Sequence, residues 1–346
     1  MVVRFLPGSP IGGWKILKNI EALNPLLLIN LCSSYAATQV SIATKIVDFS
    51  CFKNPLTGPE KNLSSIMKKN PAVSVITPSY GQTELLQLAA LSVVDQGVDG
   101  EFEHLVQEGK GGRDFENWNG SQNGSDCEVR SDRGMYDAIN HGFSRARGDV
   151  VAWLNCDEQY LPGVLTKVKS WFEEHPDYDL LFGDTILVTK DGNVLSYRKA
   201  IIPKKREIRH YFLSTYSAAT FIRRKVLEDG HFLDNRFKAI SDAVWIHHLL
   251  DSGYQAGVLN EPLAVFLQDG SNLGQTNEGK LEGIRWRRHD TLKGCFLKIW
   301  WGFLFRLRKL VNGCYSEKAV RTSVYRKNQE GRQPLAGSVG GIWKQS

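Results

Sequence analysis

The sequence predicts an α/β protein built on a mostly parallel sheet. From Pro71 onward, short β-branched runs alternate with amphipathic segments in the order strand, helix, strand, helix, strand. That order favours parallel strands with helices on the faces of the sheet. The composition, 42% hydrophobic and 23% charged over 346 residues, supplies apolar surface for a sizeable core.

Each predicted element has a local reason. Strands are indicated by β-branched runs, and helices by apolar residues at helical spacing that stop at glycine. Lys190-Asp-Gly-Asn193 between two apolar runs is typical of a hairpin turn, which adds an antiparallel piece. The predicted elements are strands at Ala72–Thr77, Phe102–Glu108 and Val150–Leu154, and helices at Thr83–Gln96, Met135–Arg147 and from Pro162.

Charge and composition divide the chain into three predicted parts. Residues 1–70 are irregular and of unknown role, residues 71–268 form the α/β domain, and residues 269–346 form a basic, aromatic, helical extension. From Lys280 to the end there are fifteen Lys/Arg against four Asp/Glu, a net charge of +11. The six cysteines form no CxxC pair, which argues against a zinc site or a disulfide framework and suits a reducing cytoplasm.

Polar residues follow the predicted strands at the edge where open α/β sheets bind ligands. The strand ends carry Thr77-Pro-Ser-Tyr80, Glu108 and Asn155-Cys-Asp-Glu158. Magnesium and manganese prefer oxygen ligands, and Mg²⁺ often uses one or two carboxylates together with substrate phosphates. Asp157 is therefore the candidate ligand of a Mg²⁺ or Mn²⁺ ion, with a helix cap or a solvated turn as the alternative.

Four segments between Pro71 and Gln268 together resemble the family 2 glycosyltransferases of the GT-A fold. They follow one another in the order and at the separations expected for that family. The segments are Val75-Ile-Thr-Pro-Ser-Tyr-Gly-Gln82, Asp132-Arg-Gly-Met-Tyr-Asp-Ala-Ile-Asn-His-Gly142, Gly148-Asp-Val-Val-Ala-Trp-Leu-Asn-Cys-Asp-Glu158 and Ala239-Ile-Ser-Asp-Ala-Val-Trp245.

The resemblance implies a GT-A-like fold and transfer of a sugar from a nucleotide-sugar donor, most simply of the UDP type. It places Asp157 and Glu158 on the metal. It also implies a set of residues that bind the nucleotide sugar, each with a plainer structural alternative as a capping, loop or surface residue. This set is Thr77, Ser79, Tyr80, Glu108, Asp132, Arg133 and Asn155.

The sequence departs from the family pattern in several places, including Glu158, which replaces the more frequent Asp. Gln107-Glu-Gly-Lys-Gly-Gly-Arg113 replaces the usual acidic loop after the second strand, and Asn155 replaces the first acid of many Asp-x-Asp motifs. An inverting transfer also needs a carboxylate that accepts the proton of the acceptor hydroxyl. Asp242 is the candidate base, and capping of the following helix is its alternative role.

The aromatic and basic stretch from Thr291 to Val311 is interrupted by Lys298, Arg306 and Arg308, so it is not expected to span a bilayer. We expect an interfacial helix on a membrane surface, with packing on the catalytic domain as the alternative. The acceptor is then a glycan or a lipid-linked molecule in surface polysaccharide synthesis. The expected location is cytoplasmic, at the inner face of the membrane.

Two other classes of protein compete with a transferase. A nucleic-acid-binding protein accounts for the Trp-rich basic tail but leaves the acids at the strand ends unexplained, so no nucleic-acid partner is expected. A catalytically lapsed scaffold of the same fold accounts for the departures from the family pattern.

Overall fold

The computed structural model describes residues 70–97, 101–118, 124–268 and 272–339. The predicted N-terminal segment, 1–70, lies outside the described residues apart from its last residue. The strands are β1 (Val73–Ser79), β2 (Phe102–Glu108), β3 (Ser125–Val129), β4 (Val150–Trp153), β5 (Glu158–Tyr160), β6 (Leu180–Val188), β7 (Val194–Arg198), β8 (Thr220–Arg223), β9 (Ala256–Leu267), β10 (Lys318–Tyr325) and β11 (Arg332–Val339).

The helices lie between these strands and after β9. They are α1 (Thr83–Val94), α2 (Arg113–Asn117), α3 (Met135–Arg145), α4 (Val164–Glu174), α5 (Lys205–His210), α6 (Lys225–Glu228), α7 (Ser241–Asp251), α8 (Asn277–Arg287) and α9 (Leu292–Val311). Short 3₁₀ turns lie at Ser217–Ala219 and Leu273–Gln275. Among the described residues, no helix is long and apolar enough to cross a membrane.

The main sheet has the strand order β3-β2-β1-β4-β8-β6-β9-β5. Strands β3, β2, β1 and β4 are mutually parallel, whereas β8 runs antiparallel to both β4 and β6. β7 pairs antiparallel with the second half of β6, so the predicted hairpin at Lys190–Asn193 is confirmed. The predicted α/β class, a mostly parallel half with an antiparallel addition, is confirmed as well.

The core lies on both faces of the sheet because successive strand residues point in opposite directions. Val73 and Val75 of β1 join the apolar cluster on one face. Ile76 joins the cluster on the other face, together with Ile139 and Trp153. The described part of β1 is buried throughout, as expected for a strand covered by helices on both sides.

Helix α3 lies directly against β1 because a glycine faces the strand. A Cβ atom built on Gly142 would come within 2.4 Å of Ile76 Cγ2, so a larger residue would push the helix away. Tyr136 and Ile139 are buried on the same face of α3. This close contact fixes the first turn of α3 beside the carboxyl ends of β1 and β4.

The C-terminal extension is only partly helical, which corrects the prediction. Helices α8 and α9 are present, but they are followed by the β10–β11 hairpin, a second antiparallel sheet. Val320, Val324 and Leu335 of the hairpin belong to the same buried cluster as Val73 and Val75. The domain limits at residues 71 and 268 stay a prediction.

Candidate active site

A cleft of about 650 Å³ opens at the carboxyl ends of β1 and β4. Its lining combines the turn after β1, the start of α3 and the turn after β4. Six of the sequence-predicted site residues meet around these turns, and five of them line the cleft directly. Those five are Ser79, Tyr80, Asp132, Asn155 and Asp157.

Glu108, the sixth, lies beneath the cleft and holds two of its turns in place. It is fully buried, and its Oε1 accepts hydrogen bonds from the backbone N–H groups of Gly81 (2.9 Å), Lys110 (2.8 Å) and Gly111 (3.1 Å). Its Oε2 accepts from Ser79 Oγ at 2.6 Å. Glu108 therefore shapes the loops after β1 and β2 rather than contacting a ligand directly.

Thr77 does not line the cleft, in contrast to the predicted role. It is fully buried in the sheet, and its Oγ1 lies 2.8 Å from His104 Nε2. The other ring nitrogen of His104 lies 2.8 Å from Ser125 Oγ. These three side chains form a buried polar chain across β1, β2 and β3, and burial lowers the pKa of His104 to about 3.

The turn after β4 separates its two carboxylates. Asp157 lines the cleft, whereas Glu158 is fully buried on β5. Glu158 Oε2 accepts from the Asn155 N–H at 2.8 Å, and Oε1 accepts from Ser217 Oγ at 3.3 Å. Burial, with the neighbouring Asp157 charge, raises the pKa of Glu158 to about 8.

This arrangement does not support Glu158 as a direct metal ligand, because both of its oxygens face the protein. The oxygens at the cleft are those of Asp157 and Asn155, and Asn155 Oδ1 has no hydrogen-bond partner within the described residues. No group of three or more His, Cys, Asp or Glu side chains suited to a metal occurs in that part of the chain. The residues present thus fit a hard cation that takes most of its ligands from phosphate and water.

The side chains of Asp132 and Arg133 point in different directions although the residues are adjacent. Asp132 lines the cleft, and its Oδ1 accepts from the Gly134 N–H at 2.8 Å at the start of α3. The Arg133 side chain turns away to Asp137, with Nε–Oδ2 and Nη2–Oδ1 distances of 3.1 and 3.0 Å. This pairing lowers the pKa of Asp137, and Arg133 does not line the cleft, in contrast to its predicted contact with the nucleotide sugar.

Asp242 lies in the first turn of α7, where a second cleft of about 640 Å³ meets the first. Ala239, Phe266, Asn272 and Gly274 line both clefts. Tyr136 OH, from the first cleft, donates to Asp242 Oδ1 at 3.3 Å, and the Ala243 N–H donates to the same oxygen at 2.8 Å. Burial raises the pKa of Asp242 above its ordinary value.

Ile240 occupies the N-cap position of α7, and Asp242 lies in the first turn, where it accepts the Ala243 N–H, so the alternative capping role stays open. Sequence reasoning missed two residues of this region, Tyr136 and His104. Tyr136 lies within the quoted Asp132–Gly142 segment, and that segment was the available signal. His104 carries no motif and was found only from its buried contacts.

The family model described as Glycosyl transferase family 2 matches residues 123–230. An uncharacterized glycosyltransferase of Mycobacterium tuberculosis is 34% identical over 96 residues, covering 27% of this chain and 37% of that protein. A PGL/p-HBAD biosynthesis glycosyltransferase of the same species is 28% identical over 123 residues, covering 34% and 48%. The chain spans less than half the length of these curated relatives.

Among solved structures, S. aureus TarS 1-349 in complex with UDP-GlcNAc has a TM-score of 0.49 at 13% identity, covering 77% of this chain and 99% of that one. The mannosyltransferase PcManGT from Pyrobaculum calidifontis, in complex with GDP-Man and Mn²⁺, has a TM-score of 0.43 at 15% identity, covering 58% and 57%. The family match agrees with the class predicted from the sequence, a glycosyltransferase, over residues 123–230.

Proposed function

We propose that this protein transfers a sugar from a nucleoside-diphosphate sugar to an acceptor hydroxyl, with inversion at the anomeric carbon. The observation that carries the proposal is the junction of two clefts at the Tyr136–Asp242 hydrogen bond. The first cleft presents cation-binding oxygens at strand ends, and the second presents the half-buried carboxylate of Asp242. A sugar bound at the junction would face both.

The first cleft is assigned to the nucleotide sugar. Tyr80 is 66% exposed at its rim and offers a ring for stacking on the base. Asp132 presents one carboxylate oxygen while the other holds the Gly134 N–H. A nucleotide sugar of the UDP type fits the size of this cleft and is the first to test.

Asp157 and Asn155 would hold a Mg²⁺ or Mn²⁺ ion, and Glu158 would support them from below through the Asn155 N–H. When bound, the cation would neutralise the charge that develops on the departing nucleoside diphosphate. Glu158 keeps the backbone of the turn fixed, so the two cleft-facing side chains need little reorganisation on binding.

Asp242 is assigned as the general base. Its carboxylate accepts the proton of the acceptor hydroxyl while that oxygen bonds to the anomeric carbon. The bond from the anomeric carbon to the phosphate oxygen breaks, and its electron pair leaves with the nucleoside diphosphate. Burial raises the pKa of Asp242, which brings its proton affinity closer to that needed at neutral pH.

The proposal is tested by titrating the full chain with UDP and GDP, with and without Mn²⁺, and by screening nucleotide sugars for Mn²⁺-dependent hydrolysis. Metal-dependent nucleotide binding together with sugar release supports the transferase. Nucleotide binding without turnover of any sugar favours a lapsed scaffold. RNA binding in the absence of nucleotide binding favours the nucleic-acid alternative.

We further propose that α9 rests on a membrane surface, where an acceptor in surface polysaccharide or lipid-linked glycan assembly would be found. Phe305 anchors the inner face of α9 against Tyr211 and Phe212. The outer face is apolar and exposed over its whole length, with Ile299 at 72% and Phe303 at 59%. The helix contains five Lys/Arg and no acid, which suits anionic lipid.

Flotation of the full chain with neutral and anionic vesicles tests this association. Ile299→Gln with Phe303→Gln should reduce the bound fraction, since both side chains are exposed and the fold does not depend on them. Val129→Gln, 58% exposed at the end of β3, is the matched control. Equal flotation of all three proteins, or none, rules the membrane contact out.

A further inference from the structure

The second cleft is lined by an excess of positively charged side chains, which the transfer chemistry alone does not require. Within the described residues, its lining includes one carboxylate, Asp242. Four Lys/Arg and one histidine surround it, from β7, α8, α9 and the turn between these helices. The basic residues are Arg198, Lys280, Arg287, His289 and Lys298.

Among the described residues, these cations lack the acidic partners that several other cations have. Arg308 pairs with Glu207, and Arg332 pairs with Asp95. In the described ranges, none of the four Lys/Arg of the second cleft lies within ion-pair distance of an acid. A concentration of unpaired cations in a cleft attracts an anion and gains strength as water is excluded.

Two buried polar atoms of the lining also lack partners among the described residues. They are Arg198 Nε and Thr215 Oγ1. Buried groups of this kind are normally hydrogen-bonded, and each unpaired one needs an explanation. The lining of this cleft therefore holds polar groups that no neighbouring group of the described residues satisfies.

Arg287 is held in place in the same cleft as Asp242, the proposed base. Its Nε donates to Ile208 O at 3.1 Å, which anchors the side chain to α5. Its charge opposes the effect of burial on Asp242, because it favours the ionised carboxylate. An anion held beside Arg287 would therefore lie within the same cleft as the proposed base.

We propose that the second cleft binds a phosphate group of the acceptor, held by Arg198, Lys280 and Lys298. This inference rests on the proposed function, since it names the acceptor of the same site. The phosphate belongs either to a lipid headgroup or to a soluble phosphate ester, and the test distinguishes these two sources. Lys298 lies on α9, and apolar residues such as Leu213 and Ile284 line the same cleft, which favours the lipid source.

The test measures binding by calorimetry with three probes: geranyl phosphate, glycerol 3-phosphate and geraniol. The full chain should bind geranyl phosphate at least tenfold more tightly than geraniol. Lys280→Gln with Lys298→Gln should weaken phosphate binding roughly tenfold or more for the pair, as expected when charged hydrogen bonds are lost. Both side chains are exposed, so the variant should fold normally.

The matched control is Lys167→Gln with Lys225→Gln, two exposed lysines that line neither cleft. It should bind all probes as the parent does. Binding of glycerol 3-phosphate as tight as that of geranyl phosphate supports the site with a soluble source. Equal affinity for geranyl phosphate and geraniol would overturn the inference. Unchanged affinity for geranyl phosphate in the Lys280/Lys298 variant would overturn it as well.

UDP titration with Mn²⁺ in the same variants separates this inference from the proposed function. Retained UDP binding with lost phosphate selectivity removes only the acceptor assignment. If the parent protein does not bind UDP, the donor assignment is removed. A preference of the same protein for geranyl phosphate over geraniol would still support the anion site. Failure of both overturns both.

Discussion

The phenol of Tyr136 donates a hydrogen bond to Asp242 Oδ1 at 3.3 Å, joining the first turns of α3 and α7. Burial raises the pKa of both side chains, and the hydrogen bond lowers the pKa of Asp242. The pair thus ties the position and the acidity of the proposed base to a residue of the nucleotide cleft.

Replacing Tyr136 by Phe should shift the acid limb of the transfer rate to higher pH. The hydrogen bond stabilises the ionised carboxylate, so its loss raises the pKa of Asp242 further. A neutral-donor bond of about 1 kcal/mol corresponds to roughly 0.7 pH unit. The check is kcat/KM against pH, with Tyr325→Phe as control because its hydroxyl bonds Asp95 away from both clefts. Superimposable profiles would contradict the link.

Replacing Asp242 by Asn should abolish transfer while leaving nucleotide binding intact. The amide cannot accept the hydroxyl proton as a base, so the rate should fall by roughly 10²-fold or more. Single-turnover transfer and UDP titration are measured on the same preparation. Near-normal turnover would remove the base assignment.

Asp157→Ala and Glu158→Gln should behave differently although the residues are adjacent. Asp157 lines the cleft, so its loss should weaken Mn²⁺-dependent UDP binding roughly tenfold or more. Glu158 faces Asn155 and Ser217, so its amide should keep most of that binding. Equal losses in both variants would restore Glu158 as a direct ligand.

Glu108→Gln should destabilise the protein and weaken nucleotide binding together. Three backbone N–H groups point at one carboxylate oxygen, and an amide satisfies them with less charge. Loss of charge-assisted bonds of this kind is worth about 3 kcal/mol. Denaturant unfolding checks this, with Glu84→Gln as the surface control, since Glu84 is exposed and its ion-pair partner within the described residues is Lys327. A loss no larger than that of the control would refute the role.

Stability should fall in mild acid because His104 is buried in its neutral form. Its pKa is about 3 in the folded state against 6.5 ordinarily, so the unfolded chain binds more protons between these values. The contribution is present above pH 6.5 and decreases below it, by about 2 kcal/mol at pH 5.

The check on His104 is the free energy of unfolding at pH 7 and pH 5, measured without metal. His104→Gln should show a smaller fall than the parent protein. His248→Gln, at an exposed position, should keep the slope of the parent. The same slope in all three proteins would exclude His104 as the source.

The sequence predicted the elements that bring the strand ends together. The bounds of β2 were predicted without error, and β1, α3 and β4 within two residues. Strong β-branched runs and helical spacing are local signals, and so is the change from apolar Leu154 to polar Asn155. Such signals locate a site at the edge of the sheet without a structure.

The direction of each side chain was not predictable in this way. Glu158 points inward, where one of its oxygens accepts from the hydroxyl of Ser217, 59 residues away in the chain. The hydroxyl of Thr77 is hydrogen-bonded to His104, which lies on the neighbouring strand. Such partners depend on strand order and register, and neither can be read from the segment itself.

The hairpin of β10 and β11 escaped prediction for a related reason. Its inward residues, Val320 and Val324, are separated by polar and basic ones such as Arg321, so the run reads as part of a charged tail. Burial of these few side chains is decided by the surface they meet, which α1 and β7 provide.

That hairpin also limits how the enzyme can be cut or recombined. Arg332 reaches back to Asp95 and to the Tyr160 carbonyl, and Tyr325 exchanges hydrogen bonds with Gln159. The last two strands are therefore an integral part of the domain that contains α1 and β5, and not a separable C-terminal tail. A shortened protein ending at residue 268 would expose the apolar surface that the hairpin covers. A chimera that takes the N-terminal part of the domain from one relative must therefore take the C-terminal hairpin from the same relative.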